Sequence, residues 1–426
     1  MNEDFLHYVW QYQKLDTLHL QTTDGEKLHV IQKGYHNKSE SGPDFKEAII
    51  EINGQKWAGQ IEIHIKSSDW YAHKHETDSN YNNVILHIVW EHDLEVFDFN
   101  QNPISTLVIS DFVNAEALKN YKLLLSQNDK KWINCAQDFH TFSKFTFDHW
   151  LERIYIERLE EKSQLVQDLL VKTKNHWDAV CFQFLAKNFG LNSNGNQFLN
   201  IAQSFDFKII QKLQGNQSQI EALIIGQSGL LPEDSHEIYV KQLQKEYQFL
   251  KVKYDLKPRQ EALEFFRLRP SNFPSIRLAQ LAALLSKSSH LCETLMHIDS
   301  QKSARDFFKV EVSDFWKTHY TFQKESKKSP KKLSHSFVDL MMINAIIPLK
   351  FAYYQHLGQL EFEEHIFKLI NSIKPEQNSI IQKFEKLRRH QMNSALETQA
   401  LIHLKKNYCD LNRCLSCNFG LKLVRG

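Results

Sequence analysis

Two short segments carry the residue types that hold a divalent cation. Gly42-Pro43-Asp44-Phe45 sets a carboxylate at the head of an alternating stretch, and Glu62-Ile63-His64-Ile65-Lys66 follows 18 residues beyond Asp44. Side chains alternate along a strand, so Glu62, His64 and Lys66 share one face. A face with an acid, an imidazole and an amine is unusual for a plain core strand. Asp44 opens the neighbouring strand and can reach Glu62 across the intervening hairpin. Two carboxylates at that range repel unless a cation lies between them. Hard oxygen donors point to Mg²⁺ or Mn²⁺. His64 or Lys66 beside the ion would orient or deprotonate an attacking water.

A second group follows in Ser67-Ser68-Asp69-Trp70-Tyr71-Ala72-His73-Lys74-His75, with Asp78 and then His87 on the next apolar stretch. His73 and His75 would either join the metal site or contact a scissile phosphate. The plainer reading makes Asp69 a helix N-cap, Trp70 core and the histidines exposed helix residues. Residues two apart do not share a helix face, which favours that plainer reading.

The third group is Cys409-x4-Cys414-x2-Cys417 at the C-terminal end. Six cysteines in 426 residues do not make a disulfide scaffold, so clustered thiols point to zinc or an iron–sulfur cluster. Both need four ligands, and only three are local. Cys135 is the preferred fourth, with His403 as the alternative, and three free thiols remain the non-metal reading. Cys181 and Cys292 lie in apolar helical contexts and read as core.

Charge supplies a possible partner. Residues 1–113 hold 18 acidic and 8 basic side chains, net −10, while the remainder holds 33 and 44, net +11. A basic C-terminal part suits a DNA or RNA backbone. Arg267, Arg269 and Arg277 flank a Pro-Ser-Asn-Phe-Pro turn at a helix start, and Arg388 and Arg389 sit in a lysine-rich helical stretch running to Lys406. The alternative is ordinary solvated helix surface.

These groups need a scaffold to bring them together. Only 13 Gly and 9 Pro, with 12% aromatic residues, describe a compact and mostly helical chain. Its length allows two to three domains. Up to residue 112 the hydropathy pattern gives helix, three strands, helix and strand, with one possible further strand, and Asn53-Gly54 marks a hairpin turn. A helix is expected over Asp69–Asn82. Beyond residue 112 the period is helical. The expected fold is therefore α+β and mostly α: a core over 1–112, a helical domain over 113–408, and a cysteine-bearing tail over 409–426. Met1-Asn2-Glu3-Asp4 lacks the basic and apolar regions of a secretion signal. Asn344, Pro348 and Lys350 interrupt the most apolar stretch, so no membrane partner and a cytoplasmic location are expected.

An acid at a strand start, then acid-x-base on the next strand of an α-β-β-β-α-β unit, resembles the PD-(D/E)xK nuclease superfamily. The resemblance implies a restriction-endonuclease-like core with Asp44 and Glu62 as metal ligands. The family's usual lysine falls on His64 here, with Lys66 as a substitute, and Glu3 takes the place of the assisting helical acid. Some members hold an iron–sulfur cluster with one upstream and three C-terminal cysteines, matching Cys135 and the tail. Over nearly its whole length the chain also resembles an uncharacterised bacterial protein family of unknown function. The matching segments are GPDFKEAII, WAGQIEIHIKSSDWYAHKHETDSNYNNVILHIVW, RPSNFPSIRLAQLAALL and CDLNRCLSCNFG. The expected function is a metal-dependent nuclease. A non-catalytic nucleic-acid-binding protein and an interaction scaffold are the alternatives.

Overall fold

The computed structural model describes residues 2–37, 41–125, 131–257, 262–288, 290–359 and 362–425. The chain divides into two compact units. One comprises Met1–Ser143 with Leu404–Gly426, the other Lys144–His403.

The first unit opens with helix α1 (Glu3–Gln11). Its N-cap Asn2 accepts the Phe5 N–H, and it buries Phe5, Leu6, Tyr8, Val9 and Trp10. Strands β1 (Leu28–Gln32), β2 (Tyr35–His36), β3 (Phe45–Ile52) and β4 (Gln55–Lys66) follow. Then come the short helix α2 (Asp69–Ala72), β5 (Val84–Glu91), β6 (Thr106–Val108) and helix α3 (Ala115–Leu125). The six strands form one mixed sheet in the order β1-β3-β4-β5-β6, with β2 paired to β3. The β1–β3 and β3–β4 pairs are antiparallel; β4–β5 and β5–β6 are parallel. The protein is thus α+β, and the elements read from hydropathy are present with one addition, the short β2, so that four strands and not three precede α2.

Two local features set the β3–β4 register. Asn53 and Gly54 both have positive φ, 48° and 85°, as a tight two-residue hairpin requires. Near the other end, the register shifts between Phe45 and Ala48, with Glu47 at φ 58°. The extra residue lets Phe45 bury on the same side as Ala48, Ile50 and Ile52, although strict alternation would turn it outward. Around residues 61–64, β4 is buried on both faces. Ile61 and Ile63 join the main core with Phe5, Trp10, Phe45, Leu86, Ile88 and Leu107. The opposite face carries Glu62 and His64, beside a smaller cluster of Trp70, Val84, Val96 and Ile104.

The unit boundary falls later than the expected 112/113, and the tail is not a separate module. Cys135, Cys414, Leu415, Leu421 and Leu423 all pack on the core that holds Phe5 and Ile63. Phe419 stacks on Phe142 at 4.6 Å and meets Phe139 edge-on at 5.4 Å. Apolar burial therefore draws 131–143 and 404–425 into the first unit.

The second unit is helical, opening with the long helix Lys144–Lys172. Helix Pro274–Lys287 buries nearly every side chain. His335–His356 is long and apolar enough by composition to cross a membrane, and 72% of its apolar 18-residue stretch is buried inside the protein, as in a core helix. The expected helix running to Lys406 is interrupted. Helix Ser379–Arg388 ends where Arg389 turns to φ 58°, and helix resumes at Ala395.

Candidate metal centre

The hairpin brings Asp44 and Glu62 together and locks them to each other's backbone. The Asp44 N–H donates to Glu62 Oε2 at 3.1 Å, and the Ile63 N–H donates to Asp44 Oδ2 at 3.0 Å. His7 Nε2, from α1, lies 3.2 Å from the same Asp44 oxygen. Glu62 is buried, with His64 Nε2 3.6 Å and His75 Nε2 3.4 Å from its other oxygen.

Both histidines of the 73–75 segment reach the site, which the expected helix over 69–82 would forbid. The helix ends at Ala72, and Lys74 takes a left-handed conformation at φ 62°. That reversal aims His73 and His75 at one point. His64 Nε2 lies 3.1 Å from His73 Nδ1, and one ring nitrogen from each of His64, His73 and His75 lies within 4.8 Å of the other two. His75 is buried rather than exposed, stacked on Tyr81 at 3.8 Å and edge-on to Trp70 at 5.3 Å.

Behind them stands His87, fully buried on β5 opposite Glu62 in the parallel register. Its Nε2 shares a 2.8 Å hydrogen bond with His64 Nδ1. This contact fixes which His64 nitrogen faces the cluster, as the outer partner of a metal-ligating imidazole does. Burial and the neighbouring imidazoles hold His64 down at about 3, and His87 lies well below the usual histidine range for the same reasons. Both rings are therefore neutral at physiological pH, the state in which imidazole binds metals. Burial pushes the Glu62 carboxyl up; its contact with His75 opposes this, and the Asp44 charge adds to it.

The donor set fits a cation. His75 Nε2 is buried without a hydrogen-bond partner, its 3.4 Å contact with Glu62 being poorly aligned for one. The separations Glu62–His64, Glu62–His75 and His64–His73 run from 3.1 to 3.6 Å. Tetrahedral zinc with its usual bond lengths spaces ligands about 3.3 Å apart. Three imidazoles, with the Glu62 carboxylate beside His64 and His75, suit zinc or Mn²⁺ better than the Mg²⁺ an oxygen pair alone would favour.

Of the other residues singled out in the sequence, Glu3 lies near the site and the rest go elsewhere. Lys66 is exposed at the end of β4, paired with Glu91 at 3.4 Å, because Glu91 is its neighbour in the β4–β5 register. Glu3 on α1 has His7, Asp44 and His73 as electrostatic neighbours, and burial pushes its carboxyl up. His7 does not stand out in the sequence. Its signal is faint: it lies one helical turn after Glu3, on the same face of α1. Cys135 is gathered with Cys409, Cys414 and Cys417 in the first unit, whereas His403 Nδ1 lies 3.5 Å from Glu161 in the second.

The arginines divide. Arg267 and Arg269 are exposed. Arg277 is buried: it donates to Gln280 Oε1 and Asn272 Oδ1 and stacks 3.6 Å over the Phe337 ring, so it is a packing residue and not a phosphate contact. Arg388 stacks on Phe147 at 4.6 Å, and Arg389 is the exposed left-handed cap of its helix.

Fold and site together define an α+β protein whose mixed sheet gathers a carboxylate–histidine cluster on one face. The chain belongs to the family described as Protein of unknown function (DUF2851), which matches residues 3–379. No curated protein and no solved structure matches it.

Proposed function

We propose that the first unit is a metal-dependent phosphodiester hydrolase, a nuclease acting on DNA or RNA. The observation that carries this reading is the convergence of Glu62 with His64, His73 and His75, beside Asp44, on one face of the mixed sheet. Glu62 and the three imidazoles would hold the cation. When bound, it would supply Lewis acidity toward a phosphoryl oxygen and lower the pKa of water. His87 would keep His64 in the tautomer that presents Nε2 to the cluster. Asp44, held by the Ile63 N–H and His7, would orient the nucleophile. Trp70 and Tyr81 wall the site on the His75 side and limit its access to water.

The net charge of +11 on the chain beyond residue 113 and the exposed Arg267, Arg269 and Arg389 support an anionic polymer as substrate. A second reading, an interaction scaffold, has its own support. Asp44 and Glu62 each accept a cross-strand backbone N–H, as purely structural carboxylates do.

The test incubates the full chain with single- and double-stranded DNA and RNA in Mg²⁺, Mn²⁺ or Zn²⁺, alongside Glu62→Gln. Cleavage that needs the cation and disappears in a folded Glu62→Gln variant is the expected result. Undiminished cleavage by that variant overturns the assignment. Salt-sensitive binding with no cleavage in any metal selects a binding protein. Neither cleavage nor binding selects the scaffold.

A further inference from the structure

We propose that Cys135, Cys409, Cys414 and Cys417 are the four thiolate ligands of a second metal centre, a zinc ion or an iron–sulfur cluster, that fastens the C-terminal segment to the N-terminal unit. The site is separate from the histidine cluster and does not depend on its function.

The fold brings these thiols together from distant places in the chain. Asn134, next to Cys135, donates from Nδ2 to Cys414 Sγ at 3.3 Å and to Asn412 Oδ1 at 3.1 Å, across 280 residues of sequence in the first case. The electrostatic neighbours of Cys135 are Cys417, Cys409 and Cys414, and Cys409 in turn has Cys417 and Cys414. Cys135 and Cys414 pack on one core, and Cys417 is buried.

The backbone of the tail is shaped to present sulfur rather than to continue a helix. Asn412 turns to φ 53°, the Cys414 N–H bonds to Asn412 O at 2.8 Å, and the Cys417 N–H bonds to Cys414 O at 3.2 Å. The final helix, Asn418–Arg425, closes on this turn at Gly420. A β-carbon there would lie 2.1 Å from Cys414 O. Two turns thus display three thiols within nine residues, with the spacing of metal-binding loops.

No disulfide links any of these four cysteines. Lys405 is the cationic neighbour of Cys409, but Asp410 already engages it. Four gathered thiols suit a thiophilic metal, whose binding releases the thiol protons. The Asn134 amide then acts as the outer hydrogen-bond donor to a ligating sulfur.

The clamp also has a mechanical consequence. Val424 of the last helix joins the core that holds Phe5 and Val9, and the Arg425 guanidinium lies 4.4 Å over the Tyr12 ring. The tail therefore braces α1, the helix that carries His7 to Asp44.

The full chain is purified anaerobically, without metal-affinity resin, and analysed for zinc, iron and acid-labile sulfide. Stoichiometric zinc, or iron with sulfide and visible charge-transfer absorbance, is expected and tells the two sources apart. Metal at the histidine cluster is separated by variants: Cys135→Ser and Cys417→Ser each lose the thiol-bound equivalent, whereas His75→Ala and the buried control Cys292→Ser retain it. Because a ligand variant can misfold, native wild-type protein is also alkylated before and after chelation. Chelation should expose Cys135, Cys409, Cys414 and Cys417 together while Cys181 and Cys292 stay protected. Full metal content in folded Cys135→Ser overturns the proposal. So does metal-free wild-type protein whose four thiols alkylate at once, or a disulfide between any two of them.

Discussion

At the residue scale, His87 and His64 have separable effects. His87 is fully buried and holds His64 through a 2.8 Å hydrogen bond. His87→Ala should weaken Mn²⁺ or Zn²⁺ binding by about 10- to 100-fold, the usual cost of losing an outer partner, and His75→Ala should cost more. Calorimetric titration of the folded variants checks this, and wild-type affinity in His87→Ala would remove the orienting role. His64 also sets an acid limit. Its pKa falls from 6.5 to about 3 on folding, so below pH 6.5 the unfolded chain binds the proton that the native ring refuses. Native stability is intact above pH 6.5 and drains away as pH falls toward 3, by on the order of 5 kcal/mol. Glu62, raised by burial, works with the opposite sign, since its native carboxyl takes up a proton more readily than the unfolded one. Denaturant melts of the chelated protein between pH 7 and 4 should therefore show a steeper acid loss in Glu62→Gln than in wild type.

At the element scale, two backbone positions decide what the side chains can do. Lys74, at φ 62°, converts a helical continuation into a reversal and places His73 and His75 together. Lys74→Gly should be neutral or stabilising by roughly 1 kcal/mol with the metal affinity kept, because glycine takes that conformation without a β-carbon clash. A large loss of affinity in Lys74→Gly would show that the lysine side chain, and not the turn, matters. Gly420 makes the tightest contact of the tail. Gly420→Ala should cost about 1–3 kcal/mol, since its neighbour is backbone and cannot rotate aside, and should raise the thiol reactivity of Cys414. Urea unfolding with thiol labelling reads both effects.

At the scale of the whole molecule, charge and packing separate residues that look alike in sequence. Arg267 and Arg269 are exposed, whereas Arg277 is enclosed by Asn272, Gln280 and Phe337. If nucleic acid is the ligand, Arg267→Ala with Arg269→Ala should weaken binding and reduce the log–log salt slope by about 1 for each phosphate no longer neutralised. Arg277→Ala should instead destabilise the second unit by about 2–4 kcal/mol, leaving buried amide groups without their partner. Filter binding across a salt series and thermal melts distinguish the two. An unchanged salt slope in the double variant would move the nucleic-acid surface elsewhere.

The sequence alone determined whatever rests on local period and covalent order. Alternation and the Asn53-Gly54 turn specify the β3–β4 hairpin, whereas the register shift between Phe45 and Ala48 is what turns Asp44 to the Glu62 face. The 3.6-residue period specifies a helical remainder, and the spacing of Cys409, Cys414 and Cys417 marks a thiol loop. Tertiary structure decided everything that joins distant segments or breaks a period. Composition does not show that Lys74 leaves the helical region, that α1 delivers His7, or that parallel pairing sets His87 behind His64. Nor does it show that Arg277 is enclosed, or that 131–143 and the tail close on the first core. In each case burial of apolar surface far away in the chain outweighs a local preference of about a kilocalorie or less, and no window of neighbouring residues contains that information.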